Sequence, residues 1–229
     1  MERRGFIKFC AASVAALGAA EVAADARVQL YSRARLVDEK GVPLRGGAIP
    51  ANRNFIFHYP YAATPCFLLN LGKAVKPAQL KTGSGETYEW KGGVGTARSV
   101  VAYSAICAHR LSYPTKDISF ISFRSEKSAR NRIANVIHCC SEHSQYDPAE
   151  GARVVAGPAP QPLASILLEW NSTSDEIHAV GTLGGEMFAE FFDKFAFRLQ
   201  LDHGTPRAAV SGSCVVQELD NYCRQQVKC

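Results

Sequence analysis

Two short segments each place a cysteine beside a histidine: Cys107-Ala108-His109 and Cys140-Ser141-Glu142-His143. Thiolate sulfur and imidazole nitrogen are metal donors, and four of them on two segments admit zinc or an iron–sulfur centre. In a zinc finger the cysteines come as one pair and the histidines as another. Here each segment supplies one of each. That mixed distribution suits a 2Fe–2S centre in which two thiolates hold one iron and two imidazoles hold the other. Neutral imidazoles in place of two thiolates remove negative charge and raise the reduction potential. The competing readings are a zinc-stabilised binding module and ordinary side chains without a metal. Cys66 and His178 sit singly in apolar runs and read as core residues.

The elements that must position these donors are strands. Each segment follows an apolar run, Val100 to Ile106 and Ile133 to Ile137, so each lies where a strand opens into a loop. Further apolar runs at Cys66–Leu71, Ser99–Ile106, Ile118–Phe123, Ser165–Trp170 and Glu176–Val180 also read as strands. Gly83-Ser84-Gly85, Gly92-Gly93 and Gly184-Gly185 read as turns between them. The pattern predicts an antiparallel all-β domain over residues 55–197. Met187 to Phe195 fits a short helix or a strand. Residues 27–54, with Gly46-Gly47 and Pro50, read as a linker and lead-in. Residues 198–229 are polar and read as a C-terminal extension, with one short helix from Cys214 to Gln226.

The chain has 229 residues, a net charge of +5 and 47% hydrophobic residues, which fits one globular domain with embellishments. No basic run or aromatic–basic stripe supports nucleic-acid binding. Residues 1–26 carry Arg3-Arg4, an uncharged stretch from Phe9 to Ala20, and Ala24-Asp25-Ala26. The stretch is shorter than the roughly 20 apolar residues of a membrane span and suits a signal-peptide core. Paired arginines before it make a bacterial twin-arginine export signal, cleaved or retained as an anchor. That route carries folded proteins, cofactors included, to the periplasm.

Flanking residues add a resemblance. The second segment continues Ser144-Gln145-Tyr146-Asp147-Pro148, and a third loop reads Gly157-Pro158-Ala159-Pro160-Gln161-Pro162-Leu163. With Cys107-Ala108-His109 these resemble the Rieske family, whose proline-rich loop shields a 2Fe–2S cluster. Glycine-proline-alanine-proline followed by leucine is typical of the cytochrome bc complex type. From about Tyr59 to Phe192 the chain also looks like the small subunit of arsenite oxidase. Tyr59-Pro60, Pro65-Cys66-Phe67-Leu68, Gly92-Gly93-Val94-Gly95, Val101 to Cys107, Leu167 to Trp170 and Ala179-Val180-Gly181 carry that likeness.

The resemblance implies a Rieske-type β-sandwich with a cluster-binding subdomain, and one 2Fe–2S cluster on Cys107, His109, Cys140 and His143. It gives Ser144 and Tyr146 the hydrogen bonds that raise the cluster's potential. It implies a periplasmic one-electron carrier with no substrate site of its own. The partner is a molybdenum oxidoreductase large subunit or, in the quinol-oxidising alternative, a cytochrome b, with a c-type cytochrome or similar acceptor. Oxygenase chemistry would need a separate mononuclear iron domain, for which the chain has no room.

Three departures stand out. The segment between His109 and Cys140 is long, which points to an insertion near Ser122 to Arg132. The loop from His143 to Tyr146 is short. The family's disulfide positions hold Ser112 and Glu142, so no covalent tie forms there. Cys139, beside Cys140, leaves a second ligand register open. The spacing to His143 favours Cys140, and strand alternation then turns Cys139 away. Of the C-terminal cysteines Cys214, Cys223 and Cys229, the first two are the preferred disulfide pair in an oxidising compartment.

Overall fold

The computed structural model describes residues 28–128 and 132–229. The export segment, residues 1–26, lies outside the described residues, as do residues 129–131 of the expected insertion.

The fold is all-β. Strands β3 (Pro65–Asn70) and β6 (Val100–Ser104) show why. They pair antiparallel, with Phe67 opposite Tyr103 and Leu68 opposite Ala102. Successive side chains leave a strand on opposite faces. Phe67, Leu69, Val101 and Tyr103 therefore enter one core. Cys66, Leu68, Val100 and Ala102 enter another. A sheet covered on both faces needs apolar residues at every position, and these strands read as unbroken apolar runs for that reason.

Both strands belong to an eight-stranded sheet. It also contains β1 (Val28–Val37), β2 (Phe55–His58), β12 (Ser165–Trp170), β13 (Ile177–Leu183), β14 (Gly212–Val215) and β15 (Gln217–Glu218). The order is β14-β1-β13-β12-β6-β3-β2-β15. A hairpin of β4 (Ala78–Lys81) and β5 (Thr87–Trp90) stands apart.

Two expectations about the flanks are corrected. Residues 27–54 are not a linker, because β1 lies between β13 and β14 within the sheet. Its alternation is broken by a register shift between Leu30 and Ala34, which hid the strand in the sequence. Residues 198–229 are not an appendage either. β14 pairs with β1 at one end of the sheet, and β15, just after it, pairs with β2 near the other. One stretch of chain thus joins both ends, and the sheet curls around Leu36, Phe57, Tyr59, Leu68 and Ile177. The short helix expected within Cys214 to Gln226 is the single turn α3 (Leu219–Tyr222). The segment from Met187 resolves into helix α1 (Phe188–Lys194), followed by α2 (Ala196–His203).

A smaller sheet packs on the first core. It runs β11-β10-β9-β8, from β8 (Ile121–Arg124), β9 (Val136–Cys139), β10 (Gln145–Asp147) and β11 (Arg153–Ala156). Ile121, Phe123, Ile137 and Tyr146 from this sheet share a core with Phe67, Leu69 and Tyr103 of the large one. Beside it, β7 (Ile118–Ser119) pairs with β16 (Gln225–Gln226) near the C-terminus.

Candidate metal centre

The first donor loop leaves β6 and turns at once. The Cys107 N–H donates to the Ser112 carbonyl at 2.9 Å, and the Leu111 N–H donates to the Cys107 carbonyl at 2.9 Å. Leu111 holds a positive φ of 61° to close this turn. Ile106 and Leu111, on either side of the motif, pack with Phe188, Phe191 and Phe192 of α1. Lys194 Nζ donates to the Arg110 carbonyl at 2.7 Å. The two helices thus brace the loop from outside.

The second donor loop joins β9 to β10. The Cys139 N–H donates to the Ser144 carbonyl at 2.9 Å, and the Cys140 N–H to the Phe120 carbonyl at 2.6 Å. His143 takes a positive φ of 60°. The third loop closes over this turn. Gly157 has φ +86°, and a side-chain carbon there would lie 2.5 Å from Ser144 Cα and the His143 carbonyl oxygen. Only glycine permits that approach. Ala159 and Leu163 of the same loop enter the core that holds Cys107 and Cys139. Gln161 fixes the loop by accepting from the Gly83 N–H at 2.6 Å and donating to the Gly185 carbonyl at 2.6 Å.

Cys107 and Cys139 meet in the buried space between these loops, thiol against thiol. The Tyr146 hydroxyl, fully buried, lies 3.3 Å from Cys107 Sγ and accepts from the Ala108 N–H at 3.1 Å. The Cys139 thiol, the Tyr146 hydroxyl and the N–H groups of His109 and Arg110 all favour a thiolate at Cys107. They outweigh burial and draw its pKa below the usual thiol value. The same pairing and burial push the Cys139 thiol up. Burial, and then the charge of Cys107, push the Tyr146 phenol up.

Two polar atoms here are sealed from solvent without a hydrogen-bond partner: His109 Nδ1 and Ser144 Oγ. A buried orphan of this kind costs about 1–3 kcal/mol unless something unseen satisfies it. Both lie on the loops that carry Cys107 and Cys139. His109 is half-buried and His143 is exposed.

The expected register of the cysteines is corrected. Cys140 is joined to Cys229 in a disulfide, so its sulfur is committed elsewhere. Alternation along β9 sends Ile137 and Cys139 to the face shared with Cys107, and His138 and Cys140 to the other. Period-2 alternation holds here, with the opposite phase to that expected. The signal lay in Ile137: a core residue two places before Cys139 sets Cys139 inward.

The preferred Cys214–Cys223 disulfide is corrected too. Both thiols are free and buried, on different cores. His178 lies on β13 of the large sheet, buried, with its pKa lowered mainly by burial. It takes no part in the donor group.

On the outer face of β9, His138 is buried, and its two ring nitrogens each lie 3.6 Å from Cys229 Sγ. The His138 and His143 rings are 5.8 Å apart. Burial, then the nearby His143 and Arg124, lower the His138 pKa to about 4.

No protein-family model matches the chain. Among solved structures it is similar to the soluble domain of Rieske protein II (soxF) from Sulfolobus acidocaldarius. The two share 26% sequence identity over 68% of this chain and 82% of that one, with a TM-score of 0.49.

Proposed function

We propose that the chain is a Rieske-type one-electron carrier, holding one 2Fe–2S cluster through Cys107, Cys139, His109 and His143. One observation carries this reading: two buried thiols in contact, on loops that also carry a buried imidazole nitrogen and a buried serine hydroxyl without partners. The donor set fits the group, with Cys139 in the place expected for Cys140. When bound, the cluster supplies a reversible one-electron couple.

The protein's own residues set the conditions for that couple. Cys107 and Cys139 bring the negative charge. The Tyr146 hydroxyl, donating to Cys107 Sγ, withdraws electron density and favours the reduced form. Ser144 Oγ, buried on the adjacent turn, is placed to do the same. The Gly157–Leu163 loop excludes water. His143, the exposed imidazole, is the point where a redox partner makes contact.

The proposal extends to location and assembly. Export by the twin-arginine route rests on Arg3-Arg4 and the uncharged run after them. If retained, that segment would be the anchor; among the described residues no helix is long and apolar enough to cross a membrane. The stretches resembling the arsenite oxidase small subunit support a molybdenum oxidoreductase as partner, with electrons passing on to a c-type cytochrome. The Tyr146 hydroxyl on Cys107 favours the second reading, a quinol-oxidising complex with a cytochrome b.

The test is iron analysis with absorption and EPR spectra of the purified full chain. Iron with an EPR signal on reduction is the expected result. Stoichiometric zinc with no signal would overturn it. Metal analysis of the native complex separates the partners: molybdenum for the first, haem for the second.

A further inference from the structure

The outer face of β9 holds a second donor group. The sulfurs of Cys140 and Cys229 and a ring nitrogen of His138 all lie within 4.8 Å of one another. We infer that, when the Cys140–Cys229 disulfide is open, these three side chains bind one thiophilic divalent cation such as zinc.

The separations are close to what such an ion needs; because Cys229 Sγ is equidistant from both ring nitrogens, the His138 ring must also turn to aim one of them. Tetrahedral zinc, with Zn–S near 2.3 Å and Zn–N near 2.0–2.1 Å, sets nitrogen and sulfur about 3.6 Å apart. His138 nitrogen and Cys229 sulfur are 3.6 Å apart as they stand. The two sulfurs need only part to about 3.8 Å, the tetrahedral S···S separation for the same bond length. Two thiolates and an imidazole, with no carboxylate among them, select zinc over calcium or magnesium. Their two negative charges also offset the nearby Arg124 guanidinium.

The group does not depend on the disulfide to stay together. The Val227 N–H donates to the Ser119 carbonyl at 2.9 Å. Arg124 Nη2 donates to the Val227 carbonyl at 2.5 Å, and Ser128 Oγ to the Cys229 carbonyl at 2.7 Å. β16 pairs with β7 just before them. These bonds keep Cys229 beside β9 without any sulfur–sulfur bond. His138 is held in the strand, while Cys140 and Cys229 are half-buried, which leaves the fourth position open to water.

The chemistry balances. A phosphine reductant breaks the S–S bond and becomes its oxide, with the oxygen from water, and two thiols form. Each thiol gives its proton to solvent as the cation binds.

The experiment uses the full-chain holoprotein. It is treated with a phosphine, incubated with zinc sulfate and desalted, and then zinc and iron are counted per chain. The expected result is one more zinc in reduced protein than in oxidised protein, with iron unchanged. Cys229→Ser should lose that zinc, and His138→Gln should weaken its binding by at least about tenfold. Equal zinc in reduced parent and reduced Cys229→Ser would overturn the site. So would zinc gained only as iron is lost, because the metal would then be in the inner pocket. Protein isolated without iron would defeat the cluster reading alone, since the difference between parent and Cys229→Ser still reports on this site.

Discussion

Cys139 and Cys140 are neighbours in sequence, yet they serve two unlike regions. On the inner side of β9, Cys139 lies against Cys107 among Ile121, Ile137 and Tyr146, roofed by the proline-rich loop. On the outer side, Cys140 is tied to Cys229, half-buried, beside a histidine and a carbonyl-rich tail. The inner pair is brought together by packing and by the hydrogen bonds of its loops, and needs no S–S bond to stay close. The outer pair joins positions 89 residues apart. Identical side chains do opposite work because strand alternation puts one in a dry core and the other at an edge.

The sharpest way to break this contrast is to exchange the partners. Cys139→Ser should abolish the cluster's visible and EPR signals, whereas Cys140→Ser should keep them. The reverse outcome would restore the register read from sequence. Gly157→Ala should cost on the order of 3 kcal/mol, since its φ of +86° and the 2.5 Å approach both penalise a side chain. Denaturant unfolding would measure this, and a loss under about 1 kcal/mol would show that the roof is looser than its packing implies.

Cys229→Ser should come next. Closing a loop of this length is worth about 4–5 kcal/mol in the chain-entropy treatment, and measured disulfides cluster at about 2–4. Thermal unfolding should show a loss in that lower range, with the cluster still loaded. A variant as stable as the parent would remove the disulfide from the account of stability. Tyr146→Phe should lower the midpoint potential by tens of millivolts. A hydrogen bond to a charged group is worth about 1.5–3 kcal/mol, but only its difference between oxidation states registers, at 59 mV per tenfold. Potentiometry that finds no change would assign the hydroxyl to packing. The smallest expected effect is that of His178→Ala, which should leave the cluster spectrum unchanged because β13 lies outside both regions.

Much of this was legible in the chain. The runs at Cys66–Leu71 and Ser99–Ile106 are doubly buried strands, and unbroken apolar runs betray such strands readily. The loops after β6 and β9 stand where the cysteine–histidine motifs placed them. What failed were features set by distant partners. β1 looks like a linker in sequence because its bulge breaks the alternation and its neighbours β13 and β14 come from far along the chain. The Cys140–Cys229 bond is invisible in sequence for the same reason, since nothing local to either cysteine names the other. The cysteine register differs in kind. Spacing to His143 points to Cys140, whereas the apolar phase of Ile137 turns Cys139 toward Cys107.

The disulfide's span also sets a schedule. Translation at about 5–20 residues per second separates Cys140 from Cys229 by roughly 4–18 s. Throughout that interval, and for as long afterwards as the chain stays in a reducing compartment, the second donor loop has no covalent tether and Cys140 is a bare thiol next to Cys139. Both adjacent cysteines are then open to whichever metal arrives first. The order of synthesis, rather than the finished fold, is therefore where the two sites compete.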